Sequence, residues 1–318
     1  MPPLDLAALR DRLPPAPLTR FAPSPTGYLH LGHVANAIWV WGIARALGGR
    51  VLLRIEDHDR GRSRREYEGA ALDDLEWLGL VPDQGLPEEL RRGPSPFRQS
   101  DSGDAYAAAL DRLARRAQVY GCDCSRRDIA LEAGDPFNEE TRYPGRCRAR
   151  GLAPGPGRGL RVVLPEGAEA FTDARLGAMA QAPASQCGDL LLRDRTENWT
   201  YQFAVVVDDR RHGVDLVIRG EDLLSSTARQ IMLGRMLGRE RPPEFLHHPL
   251  IRRHGGAKLS KSSGDTGVRE LRAAGARPEA LLGEAAWRTG LLEQPTPLTA
   301  GALPALFLGG RPWDQRAG

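Results

Sequence analysis

The clearest change of hydrophobic pattern near the start of the chain falls between residues 18 and 47. An apolar run over residues 18–22 predicts a short strand, and a turn rich in proline and glycine follows over residues 23–27. From Leu31 the apolar residues recur at helical spacing as far as Leu47. A strand, a tight turn and the start of a helix in this order are typical of the place where an open α/β sheet binds a nucleotide.

Apolar segments with strand or helix spacing continue along most of the chain. One apolar strand begins at Arg50 and ends in acidic residues by Asp59, and residues 81–98 are rich in loop-forming residues. The other predicted elements are helices over residues 64–78, 101–117 and 223–237, strands over residues 214–218 and 245–251, and three helical segments from Val268 onward. This alternation predicts an α/β fold with a doubly wound, Rossmann-type parallel sheet and a short C-terminal helical part.

The composition changes in the middle of the chain. From Tyr120 to about Pro183 glycine, proline and arginine are abundant, and only short pieces have the pattern of strands. We interpret this region as an inserted subdomain that interrupts the main sheet. The predicted divisions are an N-terminal arm (1–18), the first half of the catalytic sheet domain (19–119), the insertion (120–188), the second half (189–265) and a C-terminal helical segment (266–318).

With 318 residues, of which 41% are apolar and 27% charged, the chain has the composition of an ordinary soluble globular protein. No apolar run approaches the roughly 18 residues that a membrane-spanning helix needs, and residues 1–5 lack the pattern of a signal peptide. We therefore expect a cytoplasmic protein with no membrane contact, and no segment indicates an obligate protein partner. A net charge of +3 excludes a generally basic nucleic-acid coat.

Two histidines lie at the predicted start of the first long helix. His30 and His33 flank Gly32 at a helix N-terminus, where unpaired N–H groups and the helix dipole favour phosphate oxygens. A glycine at this point lets an adenine or a ribose approach the backbone closely. Two histidines at this spacing are more often surface or core residues, so the prediction of a nucleotide site depends on the turn that precedes them.

Lysine is scarce in this chain. The only lysines are Lys258 and Lys261, and the other 42 of the 44 basic residues are arginines. A compact ammonium group differs from a guanidinium where a mobile point charge must meet a phosphate. Because both lysines lie in one short segment after a predicted strand and a Gly255–Gly256 turn, we expect a loop that meets a triphosphate. The alternative is a solvated basic loop.

The four cysteines suggest a metal site. Cys122, Cys124 and Cys147, with Tyr143 four residues before the last of them, offer three thiolates and a phenol. Three sulfurs suffice for a tetrahedral zinc site if a fourth ligand is present. On composition alone that ligand could equally be water, and buried structural cysteines are the alternative. Cys187 lies beyond the cluster, and we interpret it as a core residue.

Four charged or phenolic residues fall at the ends of separate predicted elements. A doubly wound sheet would gather Arg20, Glu56, Tyr201 and Arg219 at one edge. Two guanidiniums and one carboxylate complement a ligand with two carboxylates and one amine, which describes an acidic amino acid. The alternative for Glu56 is a solvated charge at the start of a loop.

Four segments resemble class I glutamyl-tRNA synthetases. Residues 20–33, RFAPSPTGYLHLGH, resemble the opening of that family and its HIGH signature, with Leu31 as a mild apolar exchange. Residues 258–262, KLSKS, resemble the KMSKS signature. Residues 53–57, LRIED, and 217–223, VIRGEDL, resemble the segments of its amino-acid pocket. The similarity runs from about residue 19 to residue 265.

The chain resembles one branch of this family more closely than the others. Only 56 residues follow Ser262, fewer than the anticodon-binding region of a full glutamyl-tRNA synthetase needs. A catalytic core of this kind resembles the glutamyl-queuosine tRNA(Asp) synthetases, which attach glutamate to the queuosine base in the anticodon of tRNA(Asp). The match to residues 204–209, AVVVDD, supports the same branch. Its C-x-C…Y-x-x-x-C pattern is present here too, which implies one structural Zn²⁺ per chain with Tyr143 as the fourth ligand.

The resemblance also implies a reaction, substrates and residue roles. Glutamate and ATP, with Mg²⁺, would give glutamyl-adenylate without tRNA, and queuosine-containing tRNA(Asp) would accept the glutamate. The implied ATP-binding and catalytic residues are His30, Gly32, His33, Lys258 and Lys261, and the implied glutamate-binding residues are Arg20, Ser24, Glu56, Tyr201 and Arg219. Two alternatives stay open, namely a shortened synthetase that charges the 3′ end of tRNA(Glu) and a zinc-bearing tRNA-binding module without catalysis.

Overall fold

The computed structural model describes residues 4–133, 141–251 and 267–308. The strands are β1 (Leu18–Phe21), β2 (Arg50–Leu53), β3 (Val119–Cys122), β4 (Gly159–Val162), β5 (Glu169–Asp173), β6 (Gly177–Gln181), β7 (Leu190–Arg193), β8 (Leu216–Gly220) and β9 (Glu244–His248). The α-helices are α1 (Leu6–Arg12), α2 (Leu31–Ala46), α3 (Arg65–Trp77), α4 (Pro87–Arg92), α5 (Gly103–Ala114), α6 (Arg126–Ala133), α7 (Arg146–Ala149), α8 (Pro183–Cys187), α9 (Tyr201–Arg211), α10 (Thr227–Met236), α11 (Val268–Ala273), α12 (Pro278–Arg288) and α13 (Ala305–Leu308). Single 3₁₀ turns cover Gln99–Asp101, Glu221–Ser226 and Ala300–Ala302.

The main sheet confirms the predicted Rossmann-type α/β fold. Its six strands have the order β2-β1-β8-β9-β5-β6, and every neighbouring pair except β5 and β6 is parallel. All four residues of β1 are buried, as are the first four of β8. Strands covered on both faces by helices have this nearly continuous apolar character, which is why the sequence pattern revealed them.

A second, three-stranded antiparallel sheet has the order β3-β4-β7. The region predicted as an insertion, residues 120–188, contributes to both sheets. Its hairpin β5–β6 extends the main sheet beside β9, whereas β4 belongs to the smaller sheet. Strand β7, beyond residue 188, completes the smaller sheet. The domain boundaries themselves stay a prediction.

Several predicted elements differ in detail from the structure. The stretch 81–98 contains helix α4, which has Pro87 in its first turn, acidic residues at its start and arginines at its end. These residues suit the helix dipole and the free N–H groups of a helix start. The strand that begins at Arg50 ends at Leu53, and the predicted helix 223–237 begins as the 3₁₀ turn Glu221–Ser226.

Helix α2 lies at the centre of the largest hydrophobic core. Its residues from Val34 to Ala46 are buried on nearly all sides, including Trp39 at 1% exposure. Strands β1 and β8 cover one side and helices α12 and α13 cover another. A helix that is apolar all round is buried in this way. Among the described residues, no helix combines the length and hydropathy that a bilayer crossing requires.

Candidate active site

A cleft of ≈ 690 Å³ opens at the carboxyl ends of β1, β8 and β9, beside the first turn of α2. This is the edge at which open α/β sheets hold their ligands. The cleft brings together these residues that the sequence predicts for the site: Arg20, Ser24, His30, Gly32, His33, Glu56, Tyr201 and Arg219. They come from three strand ends, one turn and two helix starts.

Lys258 and Lys261 lie outside the described residues. The chain on either side of their segment borders the cleft, however. Ile251 lines its wall, and Gly267 forms a bridge with His30. The described residues on both sides of the segment with the two lysines therefore lie beside the cleft.

The two histidines cap the start of α2 reciprocally. Nδ1 of His30 accepts a hydrogen bond from the Gly32 N–H at 3.1 Å, and Nδ1 of His33 accepts one from the His30 N–H at 3.1 Å. Because both Nδ1 atoms are acceptors, each neutral ring carries its proton on Nε2. The ring centroids are 4.0 Å apart. A Cβ at position 32 would come within 2.9 Å of the His30 ring, so this geometry requires glycine.

A buried ionic network lies beside the part of the cleft that Arg20 and Glu56 line. Arg54, with 0% exposure, pairs with Asp209 at 2.7 Å and with Glu56 at 2.8 Å. Asp209 also accepts from Nε of Arg20 at 3.3 Å, and Nη1 of Arg20 donates to the carbonyl of Ile218. Burial alone would lower the pKa of Arg54, but Asp209, Glu56 and Asp208 together raise it. Burial would raise the pKa of Asp209, which Arg20 and Arg54 hold below its usual value.

Asp208 ties this network to helix α5. Its carboxylate accepts hydrogen bonds from Gln99 at 2.8 Å, from the Tyr106 hydroxyl at 2.9 Å and from Arg211 at 2.8 Å. Burial and the Asp208 carboxylate raise the pKa of Tyr106, so this hydroxyl remains a donor. Neither Asp208 nor Tyr106 lines the cleft. Asp208 therefore stabilises residues behind the cleft and does not itself contact the cleft.

Arg219 has a different environment from Arg20. Its guanidinium, 3% exposed, donates to Nε2 of His247 at 3.0 Å, to Gln230 at 2.6 Å and to Thr227 at 2.8 Å. All three acceptors are neutral, and among the described residues no carboxylate lies within salt-bridge distance. Burial lowers the pKa of Arg219, whereas the neighbouring Tyr201 hydroxyl acts in the opposite direction. This guanidinium is suited to an anionic ligand.

A second cleft of ≈ 640 Å³ adjoins the first. Arg62 and Tyr201 line both clefts, so the two spaces share a wall. Arg126, Arg161 and Arg195 also line the second cleft. Its acidic residues are engaged locally, since Asp59 pairs with Arg62 and Asp194 accepts from Thr196 and Asn198. The second cleft therefore presents a positively charged surface next to the first cleft.

The cysteine cluster forms at one end of this second cleft. The Sγ atoms of Cys122, Cys124 and Cys147 lie within 4.8 Å of one another, and those of Cys124 and Cys147 are 3.4 Å apart. The Tyr143 hydroxyl lies 3.6 Å from Sγ of Cys122 and accepts from the Cys147 N–H at 2.8 Å. Cys187 is elsewhere, with its thiol donating to the Pro183 carbonyl at 3.2 Å. The spacing of the three sulfurs suits a single tetrahedral ion.

Groups around the cluster suit thiolate ligands. Nε of Arg161 donates to Sγ of Cys122 at 3.3 Å, and its guanidinium lies 3.7 Å from the centre of the Tyr143 ring. Burial would raise the pKa of Cys122, but Arg161 lowers it below its usual value. Donors of this kind around a metal site orient and stabilise the ligands. The three cysteines could therefore hold zinc. Two oxygens lie beside them, the Tyr143 hydroxyl at 3.6 Å from Sγ of Cys122 and Oδ1 of Asp123 at 3.1 Å from Sγ of Cys147.

Sequence reasoning missed several residues that hold the site together. Arg54 is a charged residue between the apolar residues of β2 and Ile55, and Asp208 and Asp209 are the acidic pair that follows the apolar residues of helix α9. A charge in an otherwise apolar buried element is a signal that could have identified these three. His247 and Gln230 carry no such signal, because their roles depend on contacts between distant strands and helices.

Comparisons with known proteins agree with this geometry. Residues 18–294 match the family described as tRNA synthetases class I (E and Q), catalytic domain. A glutamyl-Q tRNA(Asp) synthetase from Symbiobacterium thermophilum is 42% identical over 300 residues, which are 91% of each chain. A glutamate–tRNA ligase 2 from Syntrophus aciditrophicus is 42% identical over 275 residues, which are 84% of this chain and 56% of that protein.

A solved structure shows the same fold. The crystal structure of a glutamate tRNA ligase from Elizabethkingia meningosepticum in complex with its amino acid superimposes with a TM-score of 0.70 and 29% identity. The match covers 85% of this chain and 60% of that one. The chain therefore belongs to the class I tRNA synthetases for glutamate and glutamine, a family of ligases that includes both of these relatives.

Proposed function

We propose that this ligase activates L-glutamate with ATP, without tRNA, and transfers the glutamate to the queuosine base in the anticodon of tRNA(Asp). The observation that carries the proposal is the charge arrangement of one cleft. Two buried arginines and the carboxylate of Glu56 line the same cleft as a helix start capped by His30 and His33. The first set complements an acidic amino acid, and the second complements the phosphates of a nucleotide.

Three residues would bind the amino acid directly through charge. Glu56 lines the cleft, and its carboxylate would accept from the α-ammonium group of glutamate. Arg20 and Arg219 would each face one carboxylate. Asp209 already neutralises part of the Arg20 charge, whereas Arg219 is held by neutral acceptors, so Arg219 would make the larger electrostatic contribution. Ser24 and Tyr201, which also line the cleft, would add hydrogen bonds.

The phosphates of ATP would lie at the start of α2. The tautomers fixed by the helix cap give His30 and His33 an Nε2–H donor each for phosphate oxygens. Gly32 would allow the nucleotide to approach the backbone. Lys258 and Lys261 would add positive charge from the segment between Ile251 and Gly267, and Mg²⁺ would accompany the phosphates as part of the nucleotide substrate.

Activation would be an in-line displacement at phosphorus. An oxygen of the glutamate α-carboxylate would form a bond to the α-phosphorus as the bond to the pyrophosphate oxygen breaks. The negative charge that develops on the departing pyrophosphate would be stabilised by the histidines and lysines. The products of this step are glutamyl-adenylate and pyrophosphate. A hydroxyl of queuosine would then attack the activated carbonyl and release AMP.

The second cleft supports a nucleic-acid acceptor. It meets the first cleft at Arg62 and Tyr201 and carries further arginines that could pair with phosphates of the RNA backbone. An acceptor hydroxyl could thus reach the activated carbonyl from the side of the cysteine cluster. An enzyme that acts on tRNA would work in the cytoplasm.

Zinc is proposed as a structural component of the cysteine cluster. Cys122, Cys124 and Cys147 would bind it as thiolates, and Tyr143 would supply the fourth ligand. When bound, the ion would join β3 to the short helix α7 and so fix the wall of the second cleft. It takes no part in the displacement.

A second candidate function is charging of the 3′ end of tRNA(Glu). The chain is 42% identical over 275 residues to a glutamate–tRNA ligase, and this identity is the observation that favours the second function. Pyrophosphate exchange with glutamate, ATP and Mg²⁺ but no tRNA separates the two. The family resemblance implies that glutamyl-tRNA synthetases need tRNA for this step and that the queuosine enzymes do not. Glutamate-specific exchange without tRNA supports our proposal, and exchange only with tRNA(Glu) contradicts it.

A further inference from the structure

A row of three buried polar side chains crosses the main sheet behind the cleft. Asp173 ends β5, His247 lies on β9 and Arg219 lies on β8. Arg219 and His247 are direct neighbours in the parallel register of β8 and β9. The three side chains are 1%, 0% and 3% exposed, so water cannot supply the hydrogen bonds that they need.

Asp173 fixes the tautomer of His247. One carboxylate oxygen accepts from the backbone N–H of Arg175 at 3.0 Å and of Leu176 at 2.9 Å. The other oxygen lies 3.1 Å from the backbone nitrogen of His247 and 2.7 Å from its Nδ1. Because the ionised carboxylate only accepts, Nδ1 carries the proton, and Nε2 of the neutral ring must be an acceptor.

Nε2 of His247 in turn holds Arg219. Nε of Arg219 donates to it at 3.0 Å, while the hydroxyl of Thr227 lies 3.2 Å from the same atom and accepts from Nη2 of Arg219. With Gln230 on Nη1, three fixed acceptors set the orientation of the planar guanidinium. None of these acceptors is charged. The imidazole ring of His247 therefore separates the negative charge of Asp173 from the guanidinium of Arg219.

We propose that Asp173 and His247 are positioning residues for substrate recognition. Acting through Nε2 of the ring, they hold the Arg219 guanidinium against the cleft wall and leave its positive charge for a carboxylate of the bound amino acid. Arg20 lacks this arrangement, because Asp209 lies directly against it. This inference rests on the proposed function, in which Arg219 binds a carboxylate of glutamate.

Two amide variants separate positioning from simple packing. In His247→Asn the amide nitrogen takes the place of Nδ1 and can still donate to Asp173, but no atom takes the place of Nε2 as the acceptor for Nε of Arg219. In His247→Gln the amide oxygen reaches the place of Nε2 and can accept from Arg219. His212, which lies near the Pro96 carbonyl outside both clefts, provides the control variant His212→Asn.

The test is the dissociation constant of L-glutamate, measured by calorimetry on the full chain, together with that of ATP and the thermal unfolding temperature. We expect His247→Asn to weaken glutamate binding about tenfold or more, the effect of losing one hydrogen bond to a charged group. We expect His247→Gln to stay within about threefold of the wild type, and ATP binding to be unchanged in both. The control His212→Asn should bind glutamate normally.

Two results would overturn the inference. Unchanged glutamate binding in His247→Asn would show that the ring does not position Arg219. Equal weakening in His247→Asn and His247→Gln, with equal losses in unfolding temperature, would show a packing role only. A wild-type chain that binds no glutamate would instead contradict the proposed function and, with it, the role of Arg219.

Discussion

Nη1 of Arg54 lies 2.7 Å from a carboxylate oxygen of Asp209, although the two residues are 155 positions apart in the chain. Arg54 follows β2 and Asp209 belongs to α9, so this pair joins the first half of the sheet to the helix that precedes β8. The same Arg54 side chain holds Glu56, and the same carboxylate holds Arg20. The buried ion pair of Arg54 with Asp209 therefore positions both Glu56, proposed to bind the ammonium group of glutamate, and Arg20, proposed to bind a carboxylate.

Asp209→Asn tests the structural part of this relationship. The substitution leaves Arg20 and Arg54 buried without their shared counter-charge, and breaking a buried pair in this way costs about 3–5 kcal/mol. We expect a loss of that size in the free energy of unfolding, measured with urea. Asp111→Asn, at an exposed position of α5, is the matched control and should be neutral. A small loss in Asp209→Asn would show that the network contributes little to stability.

Glu56→Gln tests the proposed ammonium site. The amide keeps the shape of the side chain and an oxygen that can still accept from Arg54, but it loses the charge that pairs with Arg54 and would face the α-ammonium group. We expect KM for glutamate in pyrophosphate exchange to rise about tenfold or more, because a hydrogen bond between charged groups is lost, while KM for ATP stays nearly constant. Glu88→Gln on α4 is the control. A parallel rise in both KM values would argue for general disruption of the cleft.

Arg195→Glu tests the second cleft as the path of the nucleic acid. Arg195 is exposed and lines that cleft but not the first one. We expect transfer of glutamate to tRNA to fall about tenfold or more, since a phosphate contact becomes a repulsion, while tRNA-independent exchange is retained. Arg115→Glu, exposed on the C-cap of α5, makes the same charge change elsewhere. Equal losses of transfer in the two variants would indicate only a long-range charge effect.

Cys147→Ser tests the proposed zinc site. We expect one zinc per chain in the wild type, measured by release to a colorimetric chelator, and loss of that zinc in Cys147→Ser. The unfolding temperature should fall with it, because metal binding free energy contributes to folding. Cys187→Ser removes a thiol that lies outside the cluster and should keep its zinc. Absence of zinc from the wild type, or its retention in Cys147→Ser, would contradict the assignment.

Asp74 should make the stability of the folded chain depend on pH, whatever reaction the protein catalyses. Burial raises the pKa of this α3 carboxyl from 3.8 to about 6, and its Oδ2 has no hydrogen-bond partner among the described residues. A carboxyl whose pKa is higher in the folded chain than in the unfolded chain stabilises the fold most at a pH below the unfolded pKa. The free energy of unfolding should therefore decline between pH 4 and pH 6. Asp74→Asn should therefore stabilise the chain by about 3 kcal/mol at pH 7.5 and much less at pH 4.5. A pH-independent effect in urea unfolding would contradict this.

The sequence was informative where a local pattern determines the geometry. The strand, turn and helix around His30, and the alternation that produced the parallel sheet, follow from chain-local rules of spacing and capping. The residues expected at strand ends meet in one cleft because parallel strands of an open sheet share that edge. These features could be predicted without knowing any contact between distant residues.

The remaining features depend on long-range pairing. The hairpin β5–β6 joined the main sheet because β5 pairs with β9, a strand more than 70 residues later. The same pairing brings Asp173 to His247 and, through it, to Arg219. The ion pair of Arg54 with Asp209 is equally non-local. Periodicity within a segment carries no information about such partners, so these support residues emerged only from the structure.

The most direct test of the central claim is an acceptor assay with labelled L-glutamate, ATP and Mg²⁺. The wild-type chain is incubated separately with tRNA(Asp) that contains queuosine, with tRNA(Asp) that lacks it, and with tRNA(Glu). We predict that label enters only the queuosine-containing tRNA(Asp). Label on tRNA(Glu), irrespective of queuosine, would contradict the account and identify a shortened synthetase. Tight tRNA binding with neither label nor glutamate-dependent pyrophosphate exchange would contradict catalysis altogether.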